Sequence, residues 1–199
     1  KKSYEQGPKM PFPKGTKIFG LAMGDLRKTG KPELIFLDSF DRLNIISQDG
    51  KAIWKSSDRF GGTDLFYDTK KKKPEAFRPQ EAPPWRVYIP GRIIVRDLDG
   101  DGVPEVIINR NVFLTGRLFD KIRMPEGGEV VDLVWEEDGL QTYWKTRNIQ
   151  GYISDFQVKD ADNDGVPELL VAVQASVEES ISGVISRKTR SNILFIKLF

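Results

Sequence analysis

The chain contains no cysteine and no histidine in its 199 residues. The first absence removes disulfides and thiol nucleophiles, and together they remove imidazole bases and zinc centres of the usual kinds. Lack of cysteine does not by itself fix a compartment. No apolar run approaches the about 20 residues of a membrane-spanning helix, so no membrane span is expected. There is no phosphate-binding glycine loop, no nucleophile elbow and no RNA-binding signature, which disfavours an enzyme and a nucleic-acid partner. Neither sign of charge dominates, since 31 Lys and Arg face 29 Asp and Glu for a net charge of +2.

What the chain does have is one nonapeptide written twice, Asp97-Leu98-Asp99-Gly100-Asp101-Gly102-Val103-Pro104-Glu105 and Asp160-Ala161-Asp162-Asn163-Asp164-Gly165-Val166-Pro167-Glu168. Carboxylates at positions 1, 3, 5 and 9 can point inward together if the backbone coils tightly, and the glycine at position 6 tolerates the positive φ this needs. Four carboxylates at contact distance repel one another. A hard divalent ion that wants about six to eight oxygens resolves the conflict, taking these side chains, the position 7 carbonyl and water. The expected calcium ligands are therefore Asp97, Asp99, Asp101, Val103 and Glu105 at one site, and Asp160, Asp162, Asp164, Val166 and Glu168 at the other. The competing reading is a plain acidic turn, but a turn requires neither three alternating acids nor a Glu four residues past the last.

An EF-hand starts the same way and fails on the flanks. Its position 12 needs a bidentate Glu, whereas Ile108 and Val171 stand there. The flanks are also strand-like: Arg92-Ile93-Ile94-Val95 leads into the first loop, and Glu105-Val106-Ile107-Ile108 and Glu168-Leu169-Leu170-Val171-Ala172-Val173 follow the two loops. The unit is strand, calcium loop, strand.

A third copy, Asp25-Leu26-Arg27-Lys28-Thr29-Gly30-Lys31-Pro32-Glu33, carries Arg27 and Thr29 where acids should stand. This loop is expected to be metal-free. Either the Arg27 guanidinium supplies the positive charge beside Asp25 and Glu33, or it points to solvent and ordinary hydrogen bonds hold the turn.

The first Asp of the copies falls at 25, 97 and 160, spacings of 72 and 63 residues, room for about four short strands each. Strands are expected at 17–23, 33–37, 42–47 and 51–55, then at 93–95, 106–109, 129–135 and 140–145. The third unit offers 151–158, 168–173 and 192–198, with a polar stretch from Gln174 to Arg190 between the last two. The expected fold is all-β, built of β-propeller blades, each a four-stranded antiparallel meander with the calcium loop between its first two strands. Blade 1 covers about 17–60, a connection 61–90, blade 2 about 91–147 and a partial blade 3 about 151–199. Closed rings take about four to eight blades, so residues 1–199 form part of one incomplete propeller.

On these loops and their place in a four-stranded unit, the chain from about Gly20 to Phe199 resembles the FG-GAP and VCBS repeats of bacterial surface proteins, which are similar to the calcium-bearing blades of integrin α-chains. The stretches Trp85–Arg92, Thr115–Phe119 and Gly151–Asp155 look like the C-terminal half of VCBS-repeat proteins of Gram-negative bacteria. The resemblance implies calcium-stabilised propellers used for adhesion or assembly, with no general catalytic role.

The Lys70–Lys73 run with Pro74, Pro79, Pro83 and Pro84 reads as a solvated connection, and Arg187–Arg190 as an exposed hairpin tip. Trp54, Trp85, Trp135 and Trp144 suit packing between blades better than a sugar platform. Loops of this kind work where free calcium is ~0.1–1 mM, so an exported protein of the periplasm, outer membrane surface or extracellular space is expected. The chain begins at Lys1 with neither Met nor a signal peptide, as a processed or partial chain would. The leading expectation is a non-catalytic scaffold whose partner is another protein or the remaining blades. The alternative is a carbohydrate-binding propeller or the non-catalytic part of an extracellular enzyme.

Overall fold

Runs rich in Ile, Val and Leu between Asp-Gly turns become strands, and they become nothing else. The structure, a computed structural model, describes residues 4, 5, 7, 9–13, 16–68, 86–113, 125–181 and 184–198, and no α-helix occurs among them. A single 3-10 turn, Ile18–Gly20, replaces the start of the strand expected from residue 17.

The first sheet runs β1 (Leu21–Gly24), β2 (Glu33–Leu37), β3 (Arg42–Ile46) and β4 (Ala52–Arg59) in that order, all antiparallel. A two-stranded ribbon follows, β5 (Phe66–Asp68) against β6 (Arg86–Tyr88), so the ends of the expected connection are paired rather than loose. Lys70–Lys73, the four prolines, Trp85 and Thr115–Phe119 lie outside the described residues.

The second sheet has β7 (Ile93–Arg96), β8 (Glu105–Phe113), β9 (Pro125–Glu136) and β10 (Gly139–Lys145) side by side, with β11 (Ile149–Gln150) on the far end of β9. The third sheet has three strands, β12 (Tyr152–Lys159), β13 (Glu168–Ile181) and β14 (Val184–Lys197). Here the polar stretch departs from expectation. Gln174 to Arg190 is no connection but the outer half of a long hairpin, in register from Glu168↔Lys197 to Ile181↔Val184. Arg187–Arg190 therefore sits within β14, away from the tip. Backbone pairing carries a polar strand as well as an apolar one, since its hydrogen bonds do not depend on side-chain character.

The three sheets stack. Ile35, Leu37, Leu43 and Ile45 of the first meet Ile93, Val106, Ile108, Val131 and Leu133 of the second. From the opposite face of the second sheet, Ile107 and Val130 meet Ile153, Phe156, Val158, Leu169, Val171 and Val173 of the third. A sheet covered on both sides needs apolar residues at every position, which is why Val106-Ile107-Ile108 is unbroken and fully buried. On the far side of the first sheet, Met10 and Phe12 cover Leu34, Phe36 and Ile46, with Phe12 and Phe36 edge to face at 6.3 Å. On the far side of the third, Ile193 and Phe195 are each 65% exposed.

Specific contacts fix the stack. The Asn111 amide donates to the Ile153 carbonyl at 2.9 Å and accepts from its N–H at 3.0 Å, tying the second sheet to the third like one more backbone pair. Arg92 grips Asp155 bidentately at 3.0 and 2.8 Å. Between the first two sheets the Trp54 indole lies where a Cβ at position 139 would stand, so the site accepts only Gly139.

Candidate metal centre

Each acidic loop joins two neighbouring antiparallel strands, β7 to β8 and β12 to β13, and the strand pairing brings its first and last residues close. In the loop 97–105, Gly100 and Gly102 adopt φ of +78° and +84° with open space around them, so conformation rather than crowding selects glycine. Asp97 accepts from Gly100 N–H at 2.7 Å and Gly102 N–H at 2.9 Å, and Asp101 accepts from Val103 N–H at 2.6 Å. These bonds turn the side chains inward. Asp97, Asp99, Asp101 and Glu105 each bring a carboxylate oxygen within 4.8 Å of the others.

Glu105 closes this loop from below. It is 2% exposed and accepts from Leu98 N–H at 2.7 Å. Burial first, and then the charges of Asp99 and Asp97, push its carboxyl above the usual range despite that bond.

The loop 160–168 repeats the plan with one change. Asp160, Asp162 and Glu168 converge within 4.8 Å. Glu168 is 3% exposed and accepts from Ala161 N–H at 2.9 Å through Oε2, while its buried Oε1 has no hydrogen-bond partner. Asp164 stands apart from the cluster. Its Oδ2 lies 3.2 Å from Lys197 Nζ, and its Oδ1 accepts from Val166 N–H.

In the loop 25–33, Arg27 Nε donates to Glu33 Oε1 at 2.7 Å and Leu26 N–H donates to Oε2 at 2.9 Å, so the buried Glu is fully answered. Asp25 is met by the N–H groups of Thr29 and Gly30 at 2.8 and 2.7 Å rather than by the guanidinium. The Arg27 plane also lies 5.8 Å from the Trp135 ring centre. Lys28 of this loop reaches across to donate to the Asp101 carbonyl at 3.2 Å.

The two clusters of the described residues can hold a metal ion: an all-oxygen donor set with a buried carboxylate in each fits a hard cation. Val103 and Val166 lie in these loops, where their N–H groups bond Asp101 and Asp164.

Sequence reasoning missed Asp132, on β9. It is 1% exposed and pairs across the sheet with Ile107 and with Trp144. Both of its oxygens and the Trp144 indole nitrogen lack a partner of sound geometry, so the indole offsets little. Burial, with Glu105 and Asp99 adding negative charge, pushes its carboxyl up to about 7. The signal was an acid inside Val130-Val131-Asp132-Leu133-Val134.

No protein-family model matches this chain, and no curated protein matches it. The functional reading therefore rests on the loops themselves.

Proposed function

We propose that the chain is a non-catalytic, calcium-stabilised scaffold of β-propeller blades that engages another protein at the bacterial cell surface or envelope. The observation that carries this reading is the convergence of acidic side chains on a buried glutamate in two loops of one design, with Glu168 Oε1 left unanswered. Calcium supplies the charge these oxygens need. The protein's part is to hold the ring of carboxylates by N–H bonds and to fix the glutamate on the first residue of the following strand, so that filling a loop locks two strands together.

Each stacked sheet is read as a blade. The third has three strands, and its outward face carries Phe195 at the register position that Ile45 and Asp132 hold where sheets do meet. A further sheet, from this polypeptide or another, is the occupant that matches. Trp54, Trp135 and Trp144 pack against the inter-sheet cores, which favours a scaffold over a sugar-stacking platform.

Calorimetric titration with calcium tests the reading. Two bound ions per chain are expected, one lost in Asp97→Asn and the other in Asp160→Asn. No heat at millimolar calcium from a folded chain would overturn it.

A further inference from the structure

The two acidic loops differ in what a nearby lysine holds: a carboxylate in the loop 160–168, a backbone carbonyl in the loop 97–105. Lys197, on β14, pairs across the sheet with Glu168, and its Nζ stands 3.2 Å from Asp164 Oδ2 and 3.9 Å from Asp162 Oδ2. At the equivalent register the other sheets are neutral. Leu169 pairs with Ile196, Val106 with Leu133 and Leu34 with Ile46, and the next residues along are Lys197, Val134 and Ser47. The side chains differ in step with this: Asp101 belongs to its cluster of four, whereas Asp164 lies against Lys197 and outside a cluster of three.

We infer that Lys197 is a built-in competitor for the metal of the loop 160–168, so that the two sites fill in order, the loop 97–105 first. This rests on the proposed calcium reading. The site is more than a group of acids, because Glu168, which converges with Asp160 and Asp162, is almost wholly buried and its buried Oε1 has no hydrogen-bond partner. Recruiting Asp164 as a fourth carboxylate requires it to leave the ammonium and turn inward, and an ion on the remaining three already sits a few ångströms from a positive charge. Lys28 lies near the loop 97–105, but it donates to the Asp101 backbone carbonyl and leaves the four carboxylates together.

The attraction Lys197 holds over Asp164 is solvent-exposed and screened, so its effect is moderate. A unit charge about 5 Å from a divalent ion, in water at physiological salt, lowers affinity about three- to tenfold. Calcium and terbium titrations of the whole chain, read by calorimetry and by tryptophan-sensitised terbium emission, test the inference. Asp97→Asn isolates the loop 160–168, and Asp160→Asn isolates the loop 97–105. In the Asp97→Asn background, Lys197→Met is expected to tighten binding about three- to tenfold and Lys197→Arg to leave it weak. In the Asp160→Asn background, Lys197→Met should change nothing. Binding at both loops with no response to Lys197→Met overturns the inference and leaves the calcium reading intact; no binding at either loop overturns both.

Discussion

In the loop 25–33 the buried glutamate, Glu33, receives Arg27 at 2.7 Å and the Leu26 N–H, and its charge is balanced from within the chain. In the loop 97–105 the matching glutamate, Glu105, receives the Leu98 N–H and then faces Asp97 and Asp99. Both loops close on the first residue of a strand with the same backbone bond to the second loop residue. What differs is where the positive charge comes from. The first loop carries its cation covalently and is complete when folded. The second is a folded structure with a standing electrostatic debt. The loop 160–168 lies between them, with Lys197 contributed by the neighbouring strand β14.

The largest test of this contrast is removal of the metal. If calcium binds only the folded chain, each filled site adds ~2.7 kcal/mol at a hundredfold excess over its dissociation constant, or roughly 5 kcal/mol for two. Chelation should remove that stability and lower the melting temperature by roughly 10–20 °C, and Asp99→Ala should cost about half of it. Melting curves that ignore chelator would place all three loops in one class.

Next in size is pH. Asp132 is raised to about 7 in the folded chain, so between pH about 4 and 7 the folded state holds a proton that the unfolded chain has released. Its stabilising contribution is full below about pH 4 and is lost as pH rises through 7; Glu105, also raised, acts in the same direction. Without calcium, denaturant titrations should show roughly 2–4 kcal/mol less stability at pH 8 than at pH 5 from Asp132. Asp132→Asn should flatten that slope, and calcium beside Glu105 should flatten it too. A slope unchanged in Asp132→Asn would assign it to other groups.

Arg27→Ala takes the cation from the self-contained loop. Glu33 is 1% exposed, and leaving its Oε1 without the guanidinium should cost about 1–3 kcal/mol in chelator. The calcium increment itself should stay the same, and a smaller increment would mean that this loop also holds an ion. Conversion is the finest test. Arg27→Asp with Thr29→Asp restores the acidic pattern, and calorimetry should find a third, weaker ion. At a fivefold excess over its dissociation constant it would add about 1 kcal/mol.

The residues differ in how plainly they announced themselves. The strands β2 and β3 were legible because alternation and β-branched runs are local signals, and the Asp-Gly loops because their spacing encodes a backbone path. The pairing of Gln174–Ala175 with Arg190–Ser191 was not, since a polar strand shows no apolar periodicity and only tertiary pairing reveals it. Asp132 and Lys197 stand 27 and 29 residues beyond the glutamates they affect, at distances in sequence where no motif connects them. The Arg27–Glu33 pair was readable in outline, though Asp25 found its partners in the backbone instead.

The Asn111 amide bears on how the molecule assembles in time. Each sheet is built of consecutive strands, so its pairings join segments that are neighbours in sequence, and such local contacts form faster than distant ones. The bond between Asn111 and Ile153 spans 42 residues and cannot exist until the second and third sheets have docked. Until then a side chain destined to be 5% exposed keeps its hydrogen bonds with water, and docking in a shifted register would strand both it and the Ile153 peptide. The amide thus penalises a stack joined out of step more than it rewards any single hairpin.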